Sequence, residues 1–187
     1  MEDQPPYPLH TDRLLLREFR CEDFDDIHVY ATDPLTVRYM DWGPNTEQVT
    51  HEFLVRQLAE QAQWPRRDFS YAVELLSERK VIGSVRLGLN DHRNAEFGYS
   101  LGSPHWGVGL GTEAARVLVN LAFDRFDAHR VWASCDTRNR RSFGVMEKLG
   151  MRREGTLRQN QPAHEGGWRD THIYAVLADE WAARRNA

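Results

Sequence analysis

The chain has 187 residues, 41% hydrophobic and 28% charged, with a formal net charge of −4. That is enough chain for one domain with a real core, and the composition is that of a globular protein. The small negative charge argues against a nucleic-acid partner, and no run approaches the ~18 apolar residues that cross a membrane, so no membrane partner is expected either.

Residues 1–10 read as a loose tail, and Met1 to Pro6 lack the basic-then-apolar order of a signal peptide. A strand follows over 13–19, with Leu14, Leu15 and Leu16 as its apolar centre. Asp23 is placed to cap a short helix reaching about Ala31, with Phe24, Ile27 and Tyr30 on its inner side, and Pro34 marks its break. The next segment, Tyr39 to Asn45, is a turn-rich loop carrying the aromatics Tyr39 and Trp42. Thr46 opens a second helix, patterned by Val49, Phe53, Leu54 and Leu58, which runs to about Gln63. Residues 69–75 and 80–87 form a predicted hairpin with its turn at 77–79. After a second turn at 90–94 comes a strand over 95–101. Phe97, Tyr99 and Leu101 share one of its faces, and Glu96, Gly98 and Ser100 the other. Gly98 inside this strand suggests a bulge or a close backbone approach.

The stretch Trp106-Gly107-Val108-Gly109-Leu110-Gly111-Thr112 joins that strand to a helix over about 110–126. Alternating glycines allow a tight turn and a ligand close to the backbone. The helix behind them offers unpaired N–H groups and the positive end of its dipole, a combination suited to phosphate or pyrophosphate. A P-loop would end in Gly-Lys-Ser/Thr, but Gly111 is followed by Thr112, so that reading is rejected. The dinucleotide fingerprint needs a third glycine where Thr112 stands, and the stretch follows an antiparallel region, so it fits poorly.

Leu110, Ala114, Val117, Leu118, Leu121 and Ala122 repeat at helical spacing and predict one buried face. A buried strand over 130–136 follows, so strand, helix and parallel strand make a crossover unit. Asn139 opens another helix, with Phe143, Met146 and Leu149 inward and Gly150 as its C-terminal cap. A strand starts at 151–155, a polar loop occupies 158–167, and the last strand covers 168–177 before a tail helix at 179–185. There is no repeat, low-complexity segment or linker, so residues 11–181 are expected to form a single domain. Cys21 and Cys135, the only two cysteines, read as reduced thiols of a cytoplasmic protein without the neighbours of a nucleophile. His105 reads as a solvated loop histidine, and His164 and His172 lack companions at metal-ligand spacing, so no metal is expected. No Ser-His-Asp set is identifiable.

The run Trp106 to Gly111 resembles the pyrophosphate loop of the GNAT superfamily of N-acetyltransferases. That pattern is Arg/Gln-x-x-Gly-x-Gly/Ala, with Trp106 here in the first place. Its extension through Thr112-Glu113-Ala114 is similar to the Rim-type branch, which contains the ribosomal-protein alanine N-acetyltransferases. So are the opening Thr11-Asp12-Arg13-Leu14 and the ending Trp168 to Leu177. A second segment, Asn139-x-x-Ser142 continuing to Met146-Glu147-Lys148-Leu149-Gly150-Met151, resembles the family's Asn-x-x-Ser-x-x-x-x-Glu-Lys-x-Gly-Phe. The resemblance spans about 11–181.

What this implies is an α/β (α+β) fold. Its mixed central sheet would have about six to seven strands, antiparallel in the first half, a splayed parallel pair at an acetyl-CoA cleft, and helices on both faces. It also implies acetyl-CoA as co-substrate and direct attack by a primary amine in a ternary complex. The acceptor would be a protein N-terminus; a small-molecule amine is the alternative, and a non-catalytic acyl-CoA-binding module is a reading of another class. A homodimer is compatible with all three. Backbone N–H groups of Gly107, Val108, Gly109, Leu110, Gly111 and Thr112 would face the pyrophosphate. Asn139 and Ser142 would contact the cofactor, and the backbone of Tyr99, Ser100 and Leu101 would flank the thioester where the strands part. Asn139 is equally placed to be a helix cap, and the two roles are compatible. Glu96 is the candidate base, the alternative being a surface carboxylate paired with arginine. Many members carry a tyrosine acid where this chain has Met146, so Ser142 is the candidate acid, with water as the alternative. Tyr39, Trp42 and Phe53 would line an acceptor pocket, or simply pack the helical insertion.

Overall fold

A computed structural model describes residues 8–63, 65–163 and 166–185. Residues 1–7 of the expected tail, and His164 of the expected 158–167 loop, lie outside them. The described chain builds one eight-stranded sheet: β1 (Leu9–His10), β2 (Leu14–Arg17), β3 (Asp68–Leu75), β4 (Lys80–Asn90), β5 (Asn94–Leu101), β6 (Arg130–Asp136), β7 (Arg152–Pro162) and β8 (Trp168–Leu177). Their order is β1-β2-β3-β4-β5-β6-β8-β7. Every neighbouring pair is antiparallel except β5 with β6. The helices are α1 (Phe24–Thr32), α2 (Pro34–Val37), α3 (Glu47–Gln61), α4 (Leu110–Asp124), α5 (Arg140–Lys148) and α6 (Ala178–Arg185).

Apolar residues alternate across β3, so Tyr71, Val73 and Leu75 join the larger core under α4, while Ala72 joins a smaller one under α1 and α3. Met146, Leu149 and Trp181 bring α5 and α6 to the larger core, and Ile27, Tyr30 and Leu54 close the smaller. The sheet is thus covered on both faces. On α4 the buried stripe is wider than the periodicity indicates: Ala115 and Val119 are buried, and Val117 packs only partly.

Four local expectations change. The expected tail contributes β1, because Leu9 and His10 pair with Leu16 and Leu15 and add a strand. Asp23 makes no side-chain cap on α1; its carboxylate accepts from the Arg20 N–H of the preceding turn at 2.8 Å and from buried Arg17 at 2.8 and 2.7 Å, and Arg17 also reaches Glu74 at 2.7 Å. Pro34 begins a helix as well as ending one, since Asp33 accepts from Leu35 N–H at 2.9 Å and caps α2. The polar run at 158–167 is strand as far as Pro162, because β7 is an edge strand whose residues face solvent even while they pair.

The site is positioned by where β5 and β6 separate. They pair only from Asn94–Arg130 to Glu96–Trp132. Beyond that, β5 stays with β4 as far as Leu101, and β6 stays with β8 as far as Asp136. Two strand edges with unshared backbone groups therefore face each other across a gap.

Candidate active site

The glycine turn opens α4 beside this gap. Gly107 and Gly109 sit at φ +81° and +88°, where a side chain is strained, and Gly109 is the residue before the helix. Gly111 is helical and serves differently: a Cβ there would press on the Tyr99 ring at 3.3 Å. A brace holds the turn. Arg13 donates to the Val108 carbonyl at 2.9 Å and to Glu113 at 2.7 Å, and the Thr11 hydroxyl donates to Glu113 at 2.5 Å. Burial alone would raise the Glu113 pKa, but the bonds from Thr11 and Arg13 outweigh it and hold the carboxyl below its usual range. On the other flank the Trp106 indole donates to the Leu101 carbonyl at 2.7 Å, with the Arg141 guanidinium 5.1 Å from its ring centre. The turn is thereby fastened to the β1–β2 connection, β5 and α5 together.

A cleft of about 830 Å³ runs through the gap. Tyr99, Ser100, Asn139, Ser142 and Met146 line one part of it, and Glu96, Gly98, Tyr39, Trp42 and Phe53 another. Asn139 caps α5, its Oδ1 accepting from Ser142 N–H at 3.1 Å. The Ser142 hydroxyl stands near both the Tyr99 hydroxyl and the Cys135 thiol. Burial pushes the Tyr99 phenol up to about 12, against a smaller lowering from Ser142, and pushes the Cys135 thiol up to about 11. Both groups therefore keep their protons at neutral pH. The Leu101 and Leu110 side chains are buried in the core, so these two residues offer backbone only.

Glu96 is half-buried, and burial raises its pKa. The Arg86 charge pulls the other way and Asp68 adds to the rise. Arg86 makes its salt bridge with Asp68, and no ion pair holds Glu96 among the described residues. Gly98 is neither bulged nor crowded: the β4–β5 register is continuous there, and a Cβ would meet nothing within 4 Å. Its open side belongs to the cleft. The aromatics both line the cleft and pack: Phe53 meets Phe19 edge-on at 5.5 Å, and Trp42 lies against the smaller core. Above the Tyr39 ring stand the guanidiniums of Arg38 and Arg138, at 5.4 and 5.6 Å.

Three features escape a sequence-level reading. The Tyr99 phenol, counted there only for its backbone, stands beside Ser142. The Thr11–Arg13–Glu113 brace spans a hundred residues, though Arg13 and Glu113 both fall in the quoted motifs. Arg169 of β8 lines the cleft, and no local signal in the sequence marks it. The site as built fits an acyl-CoA: positive-φ glycines at a helix N-terminus, an open strand edge, and the Ser100 hydroxyl, buried in the cleft wall without a partner. Among the described residues no helix is long and apolar enough to cross a membrane.

The family of the acetyltransferase (GNAT) domain matches residues 13–152. The uncharacterized N-acetyltransferase YnaD of Bacillus subtilis (strain 168) is 30% identical over 173 residues, covering 91% of this chain and 97% of that protein. A GNAT-family acetyltransferase from Bacillus anthracis superposes with a TM-score of 0.80 at 28% identity, covering 92% of this chain and 99% of that one. The [ribosomal protein uS5]-alanine N-acetyltransferase of Escherichia coli (strain K12) is 30% identical over 111 residues, 58% of this chain and 57% of that protein. The glycine turn at a helix N-terminus, the parted parallel strands and these likenesses agree: the chain belongs to the GNAT family of acetyltransferases.

Proposed function

We propose that this N-acetyltransferase moves an acetyl group from acetyl-CoA to the N-terminal amine of a protein, by direct attack in a ternary complex. The observation that carries the reading is the continuity of the cleft from Tyr99, Asn139 and Ser142 to Glu96, Trp42 and Phe53. Acetyl-CoA supplies the acyl group as a thioester. Backbone N–H groups from Gly107 to Thr112 are suited to its pyrophosphate, and Asn139 and the open β5 edge to its pantetheine arm. Unshared N–H groups of β5 beyond Glu96 are available to the acyl oxygen.

Glu96 takes the proton from the amine nitrogen, directly or through water, and the rise in its pKa on burial makes it a stronger base than an exposed carboxylate. As the N–C bond forms and the C–S bond breaks, the departing sulfur needs a proton. The Ser142 hydroxyl gives it, with the protonated Tyr99 phenol behind. Met146, buried at the tyrosine position, has no proton to give. Cys135 holds its proton too tightly to serve as a covalent carrier. Tyr39, Trp42 and Phe53 wall the acceptor end. Residues 11–181 act as one catalytic unit, in the cytoplasm.

The Escherichia coli relative, named for an alanine of a ribosomal protein, supports the peptide acceptor. A small cationic amine is the second reading, favoured by the cleft's six carboxylates, Asp41, Glu52, Glu60, Asp68, Glu96 and Asp136, against three guanidiniums, Arg56, Arg86 and Arg169. Transfer of radiolabel from acetyl-CoA into a clarified lysate, split into protein and small-molecule fractions, tests the choice. Label at one protein N-terminus is expected. Label only in small molecules overturns the acceptor, and none above a no-enzyme control overturns the catalytic reading.

A further inference from the structure

Among the described residues, the cleft wall contains one buried cation whose hydrogen-bonding capacity is not used up. Arg169 is 9% exposed and pairs across the β7–β8 ladder with Gln161. Its Nη1 donates to the Tyr39 carbonyl and its Nη2 to Gln161 Oε1 at 2.5 Å, while its Nε is buried with no partner. No carboxylate stands within ion-pair distance of Arg169 among the described residues. Asp136 feels its charge but is held by Arg138 through three bonds, two from the guanidinium at 3.0 and 2.7 Å and one from the backbone N–H at 2.8 Å. A buried guanidinium with an unmade bond and no ion-pair contact is costly unless something else supplies an oxygen. The bonds to Tyr39 and Gln161 fix the fork rigidly, so the free N–H keeps one direction.

We infer that Arg169 is a specificity-determining residue, reading an oxygen of the acceptor, a carbonyl or a carboxylate, that lies beyond its amine. The inference rests on the transferase reading above and narrows its acceptor. An acceptor that is only a cation meets Arg169 as a like charge. An amino-acyl acceptor presents its amine towards the carboxylate-rich wall and an oxygen to the Arg169 guanidinium in the cleft wall. Peptide carbonyls and the carboxylate of a free amino acid share this chemistry.

The test is an NMR titration of the CoA-saturated protein with three probes: tetra-alanine amide, alanine and n-butylamine. In the wild type, an oxygen-bearing probe binds at least about tenfold more tightly than butylamine, the scale of one charge-assisted hydrogen bond. Tetra-alanine amide in the lead assigns a peptide carbonyl; alanine in the lead assigns a carboxylate. In Arg169→Met the preference collapses because the oxygen-bearing probe loses affinity, while butylamine is unchanged or gains. Arg169→Lys, which keeps the charge without the fork, recovers part of the gap. Equal losses for all probes mean that Arg169 only tethers the Tyr39 loop, and overturn the inference. So does a preference that survives in Arg169→Met, or a wild type that binds neither oxygen-bearing probe. Because the readout is binding to the CoA complex, a protein that shows the preference yet transfers no label fails the catalytic reading and not this one.

Discussion

Replacing Gly83 with alanine isolates the part of the fold that holds the cleft open. Gly83 lies in β4 opposite Leu101, at the last rung before β5 leaves the sheet. A Cβ at Gly83 would stand 2.1 Å from the Ser100 carbonyl oxygen and 2.8 Å from the Leu101 Cα. Both obstacles are backbone, so no rotamer relieves them. Restoring ordinary separation requires the end of β5 to withdraw by about 1 Å. Overpacking of this kind costs about 1–3 kcal/mol, or about 2–12 °C in Tm for a chain of this size. The functional cost is expected to be larger in proportion, because β5 carries Tyr99 and Ser100 and a misplacement of about 1 Å at a reacting centre costs roughly 10²-fold in rate. Gly98→Ala is the matched control, on the same strand pair with open space in place of the clash. Melting curves and kcat/KM for an amine acceptor, measured on both variants, decide the matter. A Gly83→Ala protein that melts and turns over like wild type, or a Gly98→Ala protein that melts as low as Gly83→Ala, refutes the reasoning.

Glu96→Gln is expected to lower kcat/KM by about 100-fold and to abolish the acid limb of its pH profile, since a base acts only when ionised. The Glu96 pKa is raised on folding, so the folded state holds this proton more tightly than the unfolded chain does. Ionised Glu96 therefore opposes folding above that pKa, and the variant melts no lower than wild type at neutral pH. Arg13→Ala and Glu113→Gln each release the glycine turn and are expected to weaken CoA binding about tenfold by calorimetry, with under about 1 kcal/mol of lost stability for this part-exposed pair. Unchanged CoA affinity in both would show the brace to be incidental. Ser142→Ala is expected to reduce kcat at least about tenfold with little change in KM, and Tyr99→Phe to reduce it less. Full turnover in both variants removes them from the proton path.

The sequence by itself determined the parts of this protein whose signal is local. Alternation over 95–101 and the helical repeat from Leu110 follow from strand and helix periods, and the glycines at 107 and 109 from a backbone that L side chains resist. The motifs around Trp106 and Asn139 likewise pointed to the family, and Asn139 was legible as a cap because capping involves only residues three apart. Edge elements were less legible: β1 has two residues, and β7 is mostly polar and exposed because an edge strand needs hydrogen bonds and not burial. Only the tertiary structure decided the pairings between residues distant in sequence. Arg17 draws Asp23 away from its helix because a buried guanidinium must find carboxylates. Arg13 meets Glu113, Tyr99 meets Ser142, and Arg169 reaches the Tyr39 loop, each from separate elements that strand order brings together. The pKa of Glu96 belongs to the same class, since burial sets it, and burial is a property of the assembled sheet and not of the residues beside it in the chain.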